Sequence, residues 1–242
     1  MKTTIVIVRH AEAVGNVIRE FHGWTDEGIT DRGMLQAQQV AQRLKHVPID
    51  VIYASVLKRT METAGYIARI KSLPIIPRDD LKEIHGGLWE GLRWDELAEK
   101  FPEAYDTWEA KPHLHQMPEG ESMESFRNRV VSAVSDILQK ENGKNVCIVT
   151  HGTVIRVLMC WFRGCPLEDI IGVSWCDNTA VTVVSYENGL FHVEMEGDAS
   201  HLDAATSTFA NQQWYAEYRE KFIKLKNEHQ TLSADTGSEY GK

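Results

Sequence analysis

Two apolar runs in this 242-residue chain each end on a histidine. Residues 5–8 (IVIV) lead into Arg9 and His10, and residues 146–150 (VCIVT) lead into His151 and Gly152. Four β-branched residues in a row read as a short strand buried on both faces. An arginine and a histidine are costly neighbours for such a strand unless its end opens onto a site. In open α/β sheets, ligands bind at the carboxyl ends of parallel strands, so two strands far apart in sequence can bring two imidazoles to one cleft. The chain has ten histidines, and a single strand-end histidine is more often structural. The pair, with arginine before one and glycine after the other, suits phosphoryl transfer to a nitrogen nucleophile. An imidazole attacks phosphorus in line while cationic and neutral donors hold the equatorial oxygens.

That chemistry asks for a second arginine, whose planar fork gives paired bonds to phosphate oxygens, and for a proton donor to the leaving alcohol. SVLKRTMETA places Arg59 in the first turn of an expected helix, just after a short strand. Free N–H groups and the dipole of such a helix end also favour an anion. Lys58 beside it is an equivalent charge, and alone Arg59 would read as a surface cation. LKEIHGGLWEG offers Glu83, expected at the end of the strand LPIIPRDDLKE and before a Gly-Gly turn that lets backbone come close. Glu90 is the competing carboxylate.

The elements that must position these residues follow an alternating rhythm. Helical spacing appears from Thr30 (Leu35, Val40, Ala41, Leu44), over 56–70, over 122–141 (Phe126, Val130, Val134, Ile137) and over 153–162. Strands are expected at 49–55, 180–186 and 190–196, the last two joined by Glu187-Asn188-Gly189 as a hairpin. Strands alternating with helices predict an α/β three-layer sandwich: a mostly parallel central sheet, flanking helices and one antiparallel edge hairpin. Residues 92–120, rich in Trp, Pro and His, read as an insertion of short helices and loop over the sheet. Phe209, Trp214, Tyr218, Phe222 and Leu225 trace an amphipathic helix between Thr206 and about His229, packed on the domain or on a second subunit. The last dozen residues are polar and expected to be disordered. The domain is thus expected to span 1–205, with 206–242 as helix and tail.

Hydrophobic residues make up 43% of the chain and charged residues 25%, the balance of a soluble globular protein. A net charge of −9 argues against a nucleic-acid binder but not against a small anionic substrate, since clustered arginines reverse the field inside one cleft. Cys147, Cys160, Cys165 and Cys176 lack metal or disulfide spacing, which suits a reducing cytosol. The apolar start is too short for a signal or a membrane span. A cytoplasmic monomer or homodimer, with no membrane partner, is expected.

Together these segments resemble the histidine phosphatases, the superfamily that includes cofactor-dependent phosphoglycerate mutases. RHAEAVGN (9–16), ITDRGMLQA (29–37), SVLKRTMETA (55–64), LKEIHGGLWEG (81–91) and VTHGTVIR (149–156) stand in family order, and the likeness runs from about residue 3 to 203. The ending FHVEMEGDASHLD is similar to that of bacterial broad-specificity phosphatases of the family. The resemblance implies His10 as nucleophile and Glu83 as proton donor and acceptor. Arg9, Arg59, His151 and Asn16 would hold the phosphoryl oxygens, with neither metal nor cofactor. Gly152, Glu12 and Trp24 are further candidates for the substrate side, Glu12 either on substrate or against Arg59. Two departures stand out: Ala11 replaces the usual glycine after the nucleophile, and Gly15 replaces a common tryptophan.

The implied activity is hydrolysis of small phosphorylated metabolites through a phosphohistidine. EIHGGLWEG looks phosphatase-like, and a phosphoglycerate mutase is the alternative. A phosphate-binding module without catalysis is disfavoured, because the nucleophile and the acid are both present. Trp24, Trp89, Trp94, Trp108, His113 and His115 could line a pocket mouth, although packing of the insertion onto the sheet accounts for most of the tryptophans. His113-Leu-His115 has a metal-like spacing but no third ligand, so a solvated loop is expected. His201 is either at the cleft or structural.

Overall fold

The computed structural model describes residues 1–220, 222 and 223. Six strands form one sheet: β1 (Thr3–Arg9), β2 (Val51–Ser55), β3 (Ile75–Arg78), β4 (Asn145–Thr150), β5 (Val181–Glu187) and β6 (Leu190–Asp198). Their spatial order is β3-β2-β4-β1-β5-β6. The first four strands run parallel, and β5 and β6 form an antiparallel hairpin against β1. Its two-residue turn puts Asn188 (φ 53°) and Gly189 (φ 83°) in the left-handed region, the backbone a tight hairpin needs.

Helices α1 (Val14–Ile18), α2 (Asp31–Leu44), α3 (Lys58–Lys71), α4 (Trp94–Lys100), α5 (Pro102–Ala110), α6 (Met123–Lys140) and α7 (Gly152–Phe162) complete the layers. Strand alternation divides β1 between two cores. Val6 and Val8 pack with Val40, Leu44 and Ile67 of α2 and α3. Ile5 and Ile7 face Phe126, Val130, Val154 and Leu158 of α6 and α7. Both long amphipathic helices begin on hydroxyl caps, Thr30 accepting from Gly33 N–H and Ser122 from Ser125 N–H.

β1 and β4 are neighbours in register, Arg9 opposite Thr150, and the His10 N–H continues the ladder to the Thr150 carbonyl at 2.8 Å. The two strands therefore stop level, and His10 and His151 emerge side by side. Thr179 sits just before β5 at φ 59°, rare for a β-branched residue. Its N–H is shared by the carbonyls of Arg9 and His10, and its hydroxyl meets His201, which also meets Arg43. His201 thus braces the turn at His10 from outside the cleft.

The third parallel strand is shorter than its sequence suggests. β3 ends at Arg78, whose guanidinium bonds the Asp80 carboxylate, and a 3-10 turn over Asp79–Leu81 carries the chain on to Glu83. The insertion is helical, as α4, α5 and a short 3-10 turn at Pro112–Leu114. His115 is not solvated: it is buried between Trp89 and Trp108. Among the described residues, no group of three or more His, Cys, Asp and Glu is placed to hold a metal ion, and no helix is long and apolar enough to cross a membrane. Residues 213–220, 222 and 223 are helical. Leu225, the rest of that expected helix and the expected disordered tail lie outside the described residues.

Candidate active site

A cavity of about 410 Å³ opens at the carboxyl ends of β1, β2 and β4. His10, Arg9, Asn16, Arg59, Glu83 and Gly152 line it. The rings of His10 and His151 lie 5.3 Å apart, and a third imidazole, His22, lies 6.0 Å from His10. His10 Nδ1 is 2.8 Å from the Ala11 carbonyl, an acceptor only, so Nδ1 carries the proton. The Nε2 lone pair is left for the cavity. Burial, then the charges of Arg59 and Arg9, hold His10 well below the usual imidazole range. His10 is therefore a neutral, oriented imidazole at neutral pH, with the chemistry a nucleophile needs.

The surrounding groups are fixed by backbone. Arg59 is fully buried, and its guanidinium ends donate to the carbonyls of His22, Gly23 and Thr25, holding loop 22–25 in place. Desolvation lowers its pKa to about 10, which leaves it charged. Arg9 donates to Cys176 O at 2.5 Å. His151 meets the Ser55 hydroxyl at the end of β2, and Asn178 donates to the His10 carbonyl. After these bonds, Arg9 Nε, Arg59 Nε, His22 Nδ1, His151 Nδ1 and Asn178 Oδ1 are buried with no partner. Buried polar atoms seldom go unpaired, and four of these five are able to donate. They ask for an anion rich in oxygen.

Glu83 stands opposite. Its carboxylate accepts from Thr153 N–H, at the start of α7, and from its neighbour Ile84 N–H. Desolvation raises its pKa, with those bonds and Arg59 pulling the other way. The loop is pinned from behind: Trp24 Nε1–H and Arg129 both donate to the Glu83 carbonyl. Glu90 takes four donors, the N–H groups of Trp24, Thr25 and Gly86 and the Thr25 hydroxyl. It serves the loop's architecture, so Glu83 is the carboxyl available for proton transfer.

Two residues expected on the substrate side lie elsewhere. Trp24 packs behind the Glu83 loop, with the Lys82 ammonium 3.3 Å from its ring centroid. Glu12 is buried against Thr30, Arg32 and Thr208, and touches neither the cavity nor Arg59. Ala11 has no positive φ and is fully buried, so its methyl is accommodated without backbone strain. Gly15 has a steric reason: a Cβ there would lie 1.9 Å from His22 Nδ1. His22 and Asn178 are the site residues that sequence reasoning missed. The only signal was indirect, a glycine at 15 that leaves room for a ring seven residues on.

Residues 5–199 match the family model of the Histidine phosphatase superfamily (branch 1). The chain is 35% identical over 183 residues to Phosphoserine phosphatase 1 of Hydrogenobacter thermophilus, covering 76% of this chain and 86% of that protein. It is 34% identical to the Metal-independent phosphoserine phosphatase of Arabidopsis thaliana, covering 84% of each. The solved structure of Bacillus stearothermophilus YhfR superposes with a TM-score of 0.80 at 36% identity, over 83% of this chain and 100% of that one. With its strand-end histidines in place and those relatives at such coverage, the chain belongs to the histidine phosphatase superfamily and is a phosphatase of that family.

Proposed function

We propose that this phosphatase hydrolyses small phosphate monoesters through a phosphohistidine on His10, without a metal. The observation that carries the reading is the set of unpartnered buried donors beside His10 (Arg9 Nε, Arg59 Nε and His151 Nδ1), a cradle suited to a phosphoryl group. In the first step His10 Nε2 forms a bond to phosphorus as the ester P–O bond breaks, and Glu83 gives its proton to the departing alkoxide. The Glu83 carboxylate then takes a proton from water, whose oxygen bonds to phosphorus as the N–P bond breaks. Inorganic phosphate leaves, and His10 and Glu83 return to their starting states. The arginines carry the charge that spreads over the phosphoryl oxygens in both steps. Relatives named phosphoserine phosphatases, and a solved phosphoserine phosphatase of Entamoeba histolytica in complex with phosphoserine at 25% identity, support a small alkyl monoester as substrate class.

The test is hydrolysis of p-nitrophenyl phosphate with EDTA present, by wild type and His10→Ala. Turnover that survives EDTA and is lost in the variant is expected. Wild-type activity abolished by EDTA would overturn the metal-free reading, and an active His10→Ala would overturn the nucleophile.

A further inference from the structure

Beyond the phosphate cradle, the cavity is walled by aromatic rings from three separate segments. Trp94 and Trp108 come from the insertion, Trp175 from the stretch before β5, and Phe209, Trp214 and Tyr218 from the C-terminal segment. That last segment lies past residue 199, where the family match ends, yet it is built into the site. Gln36 donates to Thr206 O and to the Thr208 hydroxyl, and Thr208 donates in turn to Glu12, two residues from the nucleophile. Asp177 accepts from the Ser207 hydroxyl and from Phe209 N–H, and Gln212 donates to Asn16 O. Tyr218 OH accepts from Trp175 N–H at 3.4 Å, joining two of the walls. Phe209 lies 5.8 Å from the Arg9 guanidinium, so the aromatic wall begins where the cradle stops.

The charges in this outer part do not favour an acidic substrate. Glu20, Glu109 and Glu217 line it. Of the arginines, Arg9 and Arg59 belong to the cradle. Arg156 is buried, committed to the carbonyls of Val173 and Ile170, and stacked 4.4 Å from the Trp175 ring. Arg19 remains, 5.6 Å from the Trp214 ring. Among the described residues, a substrate carboxylate would meet one exposed arginine, Arg19, against the carboxylates of Glu20 and Glu217, whereas a flat apolar body would meet rings.

We propose that residues 206–220 and Phe222 form a substrate wall, and that the preferred substrate is a phosphate monoester of an uncharged, aromatic-bearing alcohol. This rests on the hydrolase reading and narrows its substrate class away from amino-acid and glycerate phosphates. The wall acts on the leaving alcohol, whose body it takes from water while the cradle holds the phosphate.

The test compares 2-phenylethyl phosphate, O-phosphoserine and 3-phosphoglycerate, all esters of alkyl alcohols, so that an activated aryl leaving group does not decide the ranking. Burying one ring predicts a kcat/KM at least about tenfold higher for 2-phenylethyl phosphate than for the other two. In Trp214→Ala/Tyr218→Ala that ratio should collapse toward one, mainly through KM. Equal or better use of phosphoserine by wild type, or a ratio that survives the double substitution, would overturn the proposal. Calorimetric titration of His10→Ala with the same three esters reads the wall without turnover. Preferential binding of 2-phenylethyl phosphate there, with no hydrolysis by wild type, would sink the hydrolase reading and leave the wall standing. Equal binding of all three would sink the wall.

Discussion

At the inner end of the cavity Arg9, His10, Arg59, Glu83 and His151 are each oriented by backbone or by a second side chain; at the outer end the walls are rings stacked on rings. Arg59 is held by three carbonyls and Glu83 by two amides. Phe209 instead stacks on Tyr215 at 3.7 Å, and Tyr218 on Phe222 at 5.7 Å. The inner end thus offers fixed dipoles and charges that need no rearrangement as charge develops, the arrangement that stabilises a transition state. The outer end offers area, which holds ground state and transition state alike. Substitutions at the inner end should lower kcat, and those at the outer end should raise KM.

Glu83→Gln should give the largest contrast. Loss of the proposed general acid is expected to lower kcat/KM, which reads phosphoryl transfer to His10 and not the later attack of water, by about 10²–10⁴-fold for alkyl phosphates, while kcat/KM for p-nitrophenyl phosphate, whose leaving group needs no proton, should fall far less. Equal losses on both substrates would remove Glu83 from the role of leaving-group acid. Arg59→Lys comes next. It keeps a charge but loses the fork that ties loop 22–25, and steady-state kinetics should show a kcat lower by about 10²–10³-fold. A change confined to KM would mean that Arg59 serves binding alone.

The smallest expected effect concerns stability against pH. His10, His22 and His151 are held well below the ordinary imidazole value by burial and the neighbouring arginines, and His115 and His201 are lowered to about 4. Histidines with depressed folded values contribute stability in full above the unfolded value of about 6.5, and it is lost as pH falls toward the folded values. Glu83, raised in the fold, works in the opposite direction as pH falls, but it is one group against five. The urea midpoint should therefore be lower at pH 5.5 than at pH 7.5, and phosphate should restore part of the difference by filling the cradle. An unchanged midpoint would argue that the imidazoles are not neutral in the empty site.

The inner end was legible in the sequence because its residues sit at element boundaries. The residues at 5–8 and 146–149 announce the two strands whose ends carry His10 and His151, and Arg59 follows β2 by one turn. Glu83 was legible for a related reason, the Gly-Gly turn beside it, although the strand before it proved to stop at Arg78. His22 and Asn178 were not legible, because neither ends a strand. Their position comes from loop 22–25 clamped by Arg59 and from the Asn178 bond to the His10 carbonyl, both long-range. Glu12 was misread for the same reason: its partner Thr208 is 196 residues away. Trp24 looked like a pocket residue by type alone, and packing decided otherwise. The aromatic stripe from Phe209 to Phe222 was visible as an amphipathic pattern, but nothing local says that its apolar face closes the cavity and not a second subunit.

The central claim is that the phosphoryl group passes through His10. Rapid acid-free quenching of wild type turning over p-nitrophenyl phosphate, followed by peptide mass spectrometry, tests it most directly. The account predicts a phosphate mass on His10, absent in His10→Ala and longer-lived in Glu83→Gln, where no base activates the water. Turnover with no phosphorylated histidine trapped under those conditions, or phosphate found on a different side chain, would contradict it.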